Sequence, residues 1–405
     1  MAGLYIHIPF CKQACFYCDF HFSTNLSAKT ELIKAICQEI YLQKNYFSDD
    51  FSNDFSENLL QNSTSNSPQK TLQSIYFGGG TPSLLSENEL LMIFEAIYAN
   101  FNVAVDAEIT LEANPDDLSL KTLQMLHKTP INRLSVGVQS FHNAHLQASN
   151  RAHNAQEAQT SIKLAQDIGF QRLSIDLMYA FPTENHSHKI LENDLKQAVS
   201  MQVTHISAYC LTIEPKTVFG KRLERNLMKE IDEDFAADQF DILIKTLHTH
   251  AYQQYEISNF CQNGHYAVHN TNYWRGEPYL GVGASAHSFN GDSRQFNVSN
   301  NQKYIEGIAK SAKNSIHCAE IEILSAKDKI NEYILTTLRT IWGCDIDKIN
   351  NITEKNNLAD FQEINRQTIA NYIKTGLLSK CQNTLTLTNK GKFFADKIAS
   401  DLFFV

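Results

Sequence analysis

Short, β-branched apolar runs alternate along this chain with longer stretches whose apolar residues recur at helical spacing. Leu4–Phe10, Ser74–Phe77, Glu108–Glu112, Arg133–Val138, Arg172–Met178 and His205–Leu211 predict strands. Ala28–Leu42, Glu87–Ala99, Ala155–Asp167 and His188–Ser200 predict helices in the gaps. Strands returning every ~25–35 residues with helices between them predict βα units on a parallel sheet, an α/β fold. In full barrels of such units, ligands sit at the C-terminal ends of the strands.

Two regions leave this rhythm. Phe47–Lys70 is rich in Ser, Asn and Asp and poor in aliphatics, and reads as a surface insertion with too little apolar area to order itself. Its phenylalanines Phe47, Phe51 and Phe55 leave a short helix as the other reading. From about Asp328 the pattern becomes helix (Lys329–Ile341), helix (Leu358–Gly376), hairpin (Leu378–Leu387) and helix (Asn389–Ala399). That order suggests a small winged-helix-like domain over 326–405, following a larger unit over 1–325. It has no dense Lys/Arg helix, so a lid or a partner-docking role is expected rather than DNA binding.

Charge and composition narrow the function. The 405 residues carry 35 Lys plus Arg against 44 Asp plus Glu, a formal net charge of −9, which argues against a broad nucleic-acid surface. No run of about 18 uncharged apolar residues predicts a membrane span, and no secretory leader precedes the first cysteines. A reducing, cytoplasmic setting is expected, with any membrane association made through a partner.

Of nine cysteines, only Cys11, Cys15 and Cys18 cluster, directly after the first predicted strand. Soft thiolates at C-x3-C-x2-C suit an iron–sulfur cluster. With three local thiolates for four irons, one iron stays open to a substrate or cofactor. A zinc site or reduced structural thiols are the alternatives, although zinc sites usually pair two cysteines with a second pair of ligands. At the end of the second strand lies Gly78-Gly79-Gly80-Thr81-Pro82, where glycines let backbone approach a ligand closely. Glu112 with Asn114 ends the third strand, and Gln139 ends the fourth. Arg151 follows, a guanidinium fork suited to a carboxylate. Asp176 is a carboxylate inside an apolar strand and needs a partner or ligand. Each alone reads equally as a satisfied core polar group; at successive strand ends they point together to a ligand.

The cysteine spacing resembles the radical S-adenosylmethionine (SAM) superfamily, and the six βα units resemble its partial (β/α)6 barrel. Within it, Tyr5-Ile-His-Ile-Pro-Phe-Cys11, the Gly-Gly-Gly-Thr-Pro turn, Gly-Val-Gln139-Ser-Phe and the Arg151 spacing resemble the oxygen-independent coproporphyrinogen III oxidase group over nearly the whole chain. The resemblance implies a [4Fe-4S] cluster on Cys11, Cys15 and Cys18. It also implies SAM contacts from Tyr5, Tyr17, Gly79, Gly80, Thr81, Glu112, Gln139, Arg151 and Asp176, with Tyr17 packing on the adenine.

Two features sort the chain within that group. The oxidases carry a further cysteine two residues after the third ligand; here that position is Phe20, similar to the heme-chaperone branch. His269-Asn270-Thr271-Asn272-Tyr273-Trp274 matches the H-N-x-x-Y-W motif of the same branch. There His269 implies an iron ligand, and Asn270, Tyr273 and Trp274 imply porphyrin contacts. From the residues alone, the segment also reads as a structural loop. Cys261-x3-His265-x3-His269 has the look of a metal site but is taken as coincidence. The function implied is heme binding and delivery to a respiratory-type acceptor protein, with a homodimer as one form. The alternative is radical-based oxidative decarboxylation of coproporphyrinogen III.

Overall fold

The computed structural model describes residues 1–48, 70–181, 187–312 and 316–404. Six parallel strands form its centre in sequential order: β1 (Ala2–Ile8), β2 (Leu72–Gly79), β3 (Val103–Ala113), β4 (Arg133–Gln139), β5 (Arg172–Tyr179) and β6 (His205–Cys210). Each predicted strand lies within or almost within one of these. The alternation of side chains along β1 shows how the layers arise. Ala2, Leu4, Ile6 and Ile8 are fully buried in the apolar layer beneath the covering helices. Tyr5 and His7, one position out of phase, point to the inner face, where Tyr5 stacks on Tyr76 of the next strand at 6.2 Å.

That inner face is polar. Ser74, Glu108, Thr110, Arg133, Ser135, Ser174, His205 and Ser207 occupy the inward positions of β2 to β6 and are buried. The predicted helices are present as Lys29–Leu42, Glu87–Asn100, Ala155–Ile168 and Lys189–Ser200. Two of the four start on complete capping boxes, Ser86 with Glu89 and Asn154 with Glu157, which explains their sharp N-termini.

The sheet continues past both edges of the six strands. Beside β6 run two short antiparallel strands, β7 (Gln253–Gln254) and β8 (Asn259–Cys261). Beside β1 lie β9 (Tyr279–Val282), parallel to it, and then antiparallel β10 (His287–Phe289), β11 (Ser293–Asn297) and β12 (Ala319–Ile323). Glu39 fastens this extension to the first helix. Its carboxylate is fully buried and accepts from the Gly283 backbone N–H (2.9 Å), the Asn297 amide (2.8 Å) and the Tyr304 hydroxyl (2.6 Å).

Residues 326–404 gather a second apolar cluster around Ile330, Ile334, Ile346, Phe361 and Ile398. Its three-stranded sheet contains the predicted hairpin, as β14 (Leu378–Cys381) and β15 (Thr384–Leu387), with β13 (Cys344–Asp345) alongside. A helix over Ile346–Lys355 was not predicted. The last predicted helix is shorter than expected, a 3-10 turn over Gly391–Phe394 leading into Ala395–Ser400. Phe47, placed in the surface insertion by composition, is instead buried against Tyr46 and Phe101. Residues 49–69, the rest of that insertion apart from Ser48 and Lys70, lie outside the described residues. Among the described residues, no helix is long and apolar enough to cross a membrane.

Removing the Glu39 carboxylate takes the acceptor from four donors in the core, the Gln43 amide included. Glu39→Ala is expected to cost roughly 3 kcal/mol or more, since each unsatisfied buried group costs ~1–3 kcal/mol. A denaturant midpoint unchanged from the parent would show that the extension does not depend on this carboxylate.

Candidate active site at the cysteine loop

Beyond β1 the chain forms the loop that carries Cys11, Cys15 and Cys18, stitched to its surroundings by backbone hydrogen bonds. Cys11 N–H donates to Ser23 C=O at 3.0 Å, and Cys18 N–H to Cys15 C=O at 3.3 Å. The loop closes one end of a cavity of about 620 Å³ at the C-terminal ends of the parallel strands. Cys11, Cys15, Tyr17, Cys18, Gly79, Gly80, Thr81, Glu112, Gln139, Arg151 and Asp176 all line it. Residues separated by up to 165 positions in the chain therefore face one space. Tyr5 does not line it; its hydroxyl meets His7 Nδ1 at 3.0 Å in the layer beneath.

The loop and the strand ends are joined through Arg151. One terminal nitrogen reaches Cys15 Sγ (3.2 Å) and the Tyr17 hydroxyl (3.3 Å); the other donates to Asn114 Oδ1 (2.6 Å) and Gly137 C=O (2.7 Å). Its Nε is buried with no partner. Asn114 in turn donates to Thr81 Oγ1 at 3.2 Å, and the Thr81 hydroxyl donates to Cys11 Sγ at 3.4 Å. All three sulfurs thus already have hydrogen bonds, Cys18 from the Phe20 backbone. Burial pushes the Cys11 thiol up, against the Thr81 hydrogen bond, and pushes Cys18 up to about 11. Ligation must displace those protons, so metal uptake favours higher pH.

The fit to a cluster is visible in the backbone. A Cβ on Gly80 would stand 2.7 Å from the Phe10 carbonyl oxygen and 3.0 Å from Cys11 Sγ, so any side chain there would invade the sulfur's surroundings. Among the described residues no three Cys, His, Asp or Glu side chains gather tightly enough for one ion. The three thiols line one cavity close enough to influence one another's ionisation, a donor set that suits an iron–sulfur cluster.

Two carboxylates face the other side of the cavity. Glu112 accepts from the Tyr76 hydroxyl (2.7 Å) and Gly79 N–H (3.2 Å), and Asp176 from the Ser135 hydroxyl (3.3 Å). Burial and then mutual repulsion raise Glu112 to about 7; burial raises Asp176 to about 6. A cationic ligand between them would pull both back to the charged form. Gln139 holds a left-handed backbone, φ 65°, rare outside glycine, at the point where β4 turns into the cavity. Sequence patterning missed Ser135, Met178, Tyr209 and Cys210, which also line the space. Ser135, Met178 and Tyr209 share the inward register of Asp176, so the period of two along β4, β5 and β6 was the available signal.

Phe20 lines the mouth of the cavity and is 75% exposed. The segment 268–274 lies elsewhere, as a short helix packed on β1 and β2 at the opposite end of the strands. His269 is turned into the strand interior, its Nδ1 2.9 Å from Ser74 Oγ and its ring stacked on Tyr76 at 5.1 Å. Its backbone N–H donates to Glu108 at 3.1 Å. Burial lowers its pKa to about 4. Tyr273 is exposed, and Trp274 is half-buried with Arg339 over its ring at 5.5 Å. The expected heme quartet is therefore split: the imidazole looks inward while the Tyr273 ring is exposed and Trp274 is half-buried. Cys261 is buried in β8 and His265 is exposed; neither belongs to a three-ligand cluster among the described residues.

Comparison with known proteins agrees with this geometry. Residues 5–193 match the model of the radical SAM superfamily. The chain is similar to the heme chaperone HemW of Bacillus subtilis, 31% identical over 400 residues, covering 98% of each protein. It is 35% identical to the heme chaperone HemW of Escherichia coli over 287 residues, 70% of this chain and 69% of that one. Its fold is similar to the crystal structure of the coproporphyrinogen III oxidase HemN from Escherichia coli, with TM-score 0.80 and 21% identity over 99% of this chain and 90% of the other.

The paired carboxylates set a pH dependence of stability. Glu112 ionises near 4.5 in the unfolded chain and near 7 in the fold. Between those values the folded state retains a proton that the unfolded state has released. Stability therefore falls as pH rises across that window, and the deficit is complete above about pH 7. In ligand-free melts, Glu112→Gln is expected to flatten this decline, so that the variant gains on the parent from pH 5 to pH 8. An equal pH slope in both proteins would remove Glu112 as its source.

Proposed function

This chain belongs to the HemW heme-chaperone family of the radical SAM superfamily, and from that membership we propose that it binds heme and hands it to an acceptor heme protein. The observation that carries the reading is Phe20, an exposed phenylalanine at the cavity mouth where the related oxidases place a cysteine. An apolar ring there suits contact with a porphyrin or a partner better than thiol chemistry does. Oxidative decarboxylation of coproporphyrinogen III is not favoured.

Cys11, Cys15 and Cys18 would hold a [4Fe-4S] cluster, and SAM would lie along Gly79, Gly80, Thr81, Glu112, Gln139, Arg151 and Asp176, with Tyr17 beside its adenine. Such a cluster with one open iron supplies SAM binding and one-electron chemistry when loaded. The chain's own residues do the positioning. Arg151 holds the cysteine loop against β3 and β4 and brings a cation to the cavity wall for a ligand carboxylate, and Glu112 with Asp176 favours a cation. Tyr5 supports this layer from below rather than touching the ligand.

For the helix at 268–274, Tyr273 and Trp274 are the residues placed to meet a porphyrin from outside, while His269 anchors the helix in the strand interior. Residues 326–405 act as a separate winged-helix-like lid or docking unit, supported by their own apolar cluster. The reading places the protein in the cytoplasm, with a respiratory-type heme protein as acceptor and a homodimer as one working form.

The test is heme transfer. The reconstituted protein should retain heme stoichiometrically and pass it to a heme-free b-type cytochrome; retention without transfer would contradict the chaperone reading. In the same assay His269→Ala should lower the melting temperature by several degrees, as expected for ~1–2 kcal/mol of lost buried bonding, while heme stoichiometry holds. Heme loss with an unchanged melting temperature would make the imidazole an iron ligand after all.

A further inference from the structure

At the end of the strands away from the cysteine loop, β4 and β5 both begin with an arginine. Arg133 and Arg172 are direct partners in the parallel pairing of these strands, so their side chains leave the sheet on the same face. Both share the inward register of Ser135 and Ser174, which are paired one layer further in. Like charges side by side on neighbouring strands are destabilising unless an opposite charge lies between them.

The described residues supply that opposite charge only in part. Arg133 is 5% exposed, and its side chain makes no hydrogen bond among the described residues. Its one ion pair there joins Nε to a Glu108 carboxylate oxygen at 3.7 Å, longer than a hydrogen bond. The other oxygen of Glu108 already accepts the His269 backbone N–H at 3.1 Å. The two terminal nitrogens of Arg133 are thus left without an acceptor among the described residues. Arg172 is exposed and has no ion pair among them. A buried guanidinium is costly unless its donors are met.

Both arginines face one small pocket of about 170 Å³, whose walls include Glu108, Thr204, His205 and His265. His205 offers it no donor, because Ser174 and Tyr255 take both ring nitrogens at 2.7 and 2.8 Å. Thr204, just before β6, and the exposed His265, just after β8, bring a hydroxyl and an imidazole to the same space. Two guanidiniums against one carboxylate leave a local excess of positive charge, in a chain whose formal net charge is −9.

We propose that this pocket binds a phosphate group, anchored by Arg133 and Arg172, with Thr204 and His265 meeting it from the opposite wall. Phosphate matches the guanidinium fork and presents oxygens in several directions at once, which suits donors arriving from β4, β5 and the two flanking segments. A carboxylate offers two oxygens in one plane and would leave some of those donors unmet. The pocket is below the ~300–1,000 Å³ usual for larger ligands; it admits a small oxyanion and excludes a porphyrin. The site is therefore separate from the cysteine-loop cavity and from the outer side of the helix at 268–274, and it does not rest on the heme-chaperone reading. The phosphate arrives as the free ion or as the head of a small ester, and either source meets the same two arginines.

Calorimetric titration of the full chain at constant ionic strength tests this, with inorganic phosphate, glycerol phosphate and acetate as probes. The parent should bind phosphate saturably, and acetate about tenfold more weakly or worse. Arg172→Gln, a change at an exposed position that should leave the fold intact, should weaken phosphate binding about tenfold or more, as expected for one charge-assisted contact. Arg133→Lys, which keeps the charge and loses the fork, should weaken it too. Arg225→Gln, at an exposed arginine outside the pocket, should leave the affinity unchanged. Tighter binding of glycerol phosphate than of inorganic phosphate would identify an ester as the ligand, and equal or weaker binding the free ion; both support the site. A folded parent that binds neither phosphate saturably, a parent that binds acetate as tightly, or parent-like phosphate affinity in Arg172→Gln would overturn it.

Discussion

The candidate site depends on one buried cation. Arg151 touches Cys15 and Tyr17 in the cysteine loop, Asn114 beyond β3 and the Gly137 carbonyl in β4, so three separately folded segments meet on a single guanidinium. A buried charge is tolerable only where it is well paired, and here the pairing is mostly with neutral acceptors and a thiol. The arrangement becomes electrostatically complete when the thiols ionise onto a metal centre. Arg151 is therefore both a structural clamp and the feature that prepares the loop for negative charge. The carboxylates across the cavity complement it, since a zwitterionic ligand can place its acid toward Arg151 and its cationic end toward Glu112 and Asp176.

The polar inner face of the strands continues this logic downward. Ser174 and Tyr255 meet the two ring nitrogens of His205 at 2.7 and 2.8 Å, and Arg133 lies 3.7 Å from Glu108. His269 completes that lower layer through Ser74 and Glu108. A polar interior of this kind is stable only if its groups bond one another, and the helix at 268–274 supplies the last partners from outside the six strands. At the upper end, by contrast, the cysteines form no disulfide and line an open cavity, with Arg151 beside them. The strand interior is closed by its own side chains at one end and opens onto the cysteine-loop cavity at the other.

Much of this was legible in the sequence. The six parallel strands and four helices followed from periodicity, because each buries a continuous apolar face. The cavity residues followed from their place at strand ends. The direction of a side chain within a short element was less accessible. His269 and Tyr273 stand four positions apart on a helix of about two turns, and spacing did not show that His269 packs on Ser74 and Tyr76 while the exposed Tyr273 lies against Tyr279. The helix Ile346–Lys355 was hidden because its residues are mostly Asn, Lys, Asp and Thr, with only Ile346, Ile349 and Ile352 marking the buried side.

A scaffold of this kind supports either porphyrin chemistry or porphyrin carriage, and the same cysteine loop serves both. Phe20 at the cavity mouth and membership in the heme-chaperone family favour carriage. The most direct measurement is anaerobic turnover of coproporphyrinogen III by the cluster-loaded protein with SAM and a reductant. Protoporphyrinogen and 5′-deoxyadenosine would be quantified, and retained heme assayed in the same preparation. The account predicts one retained heme and no catalytic protoporphyrinogen. Multiple turnovers to protoporphyrinogen would contradict it and make the protein an oxidase.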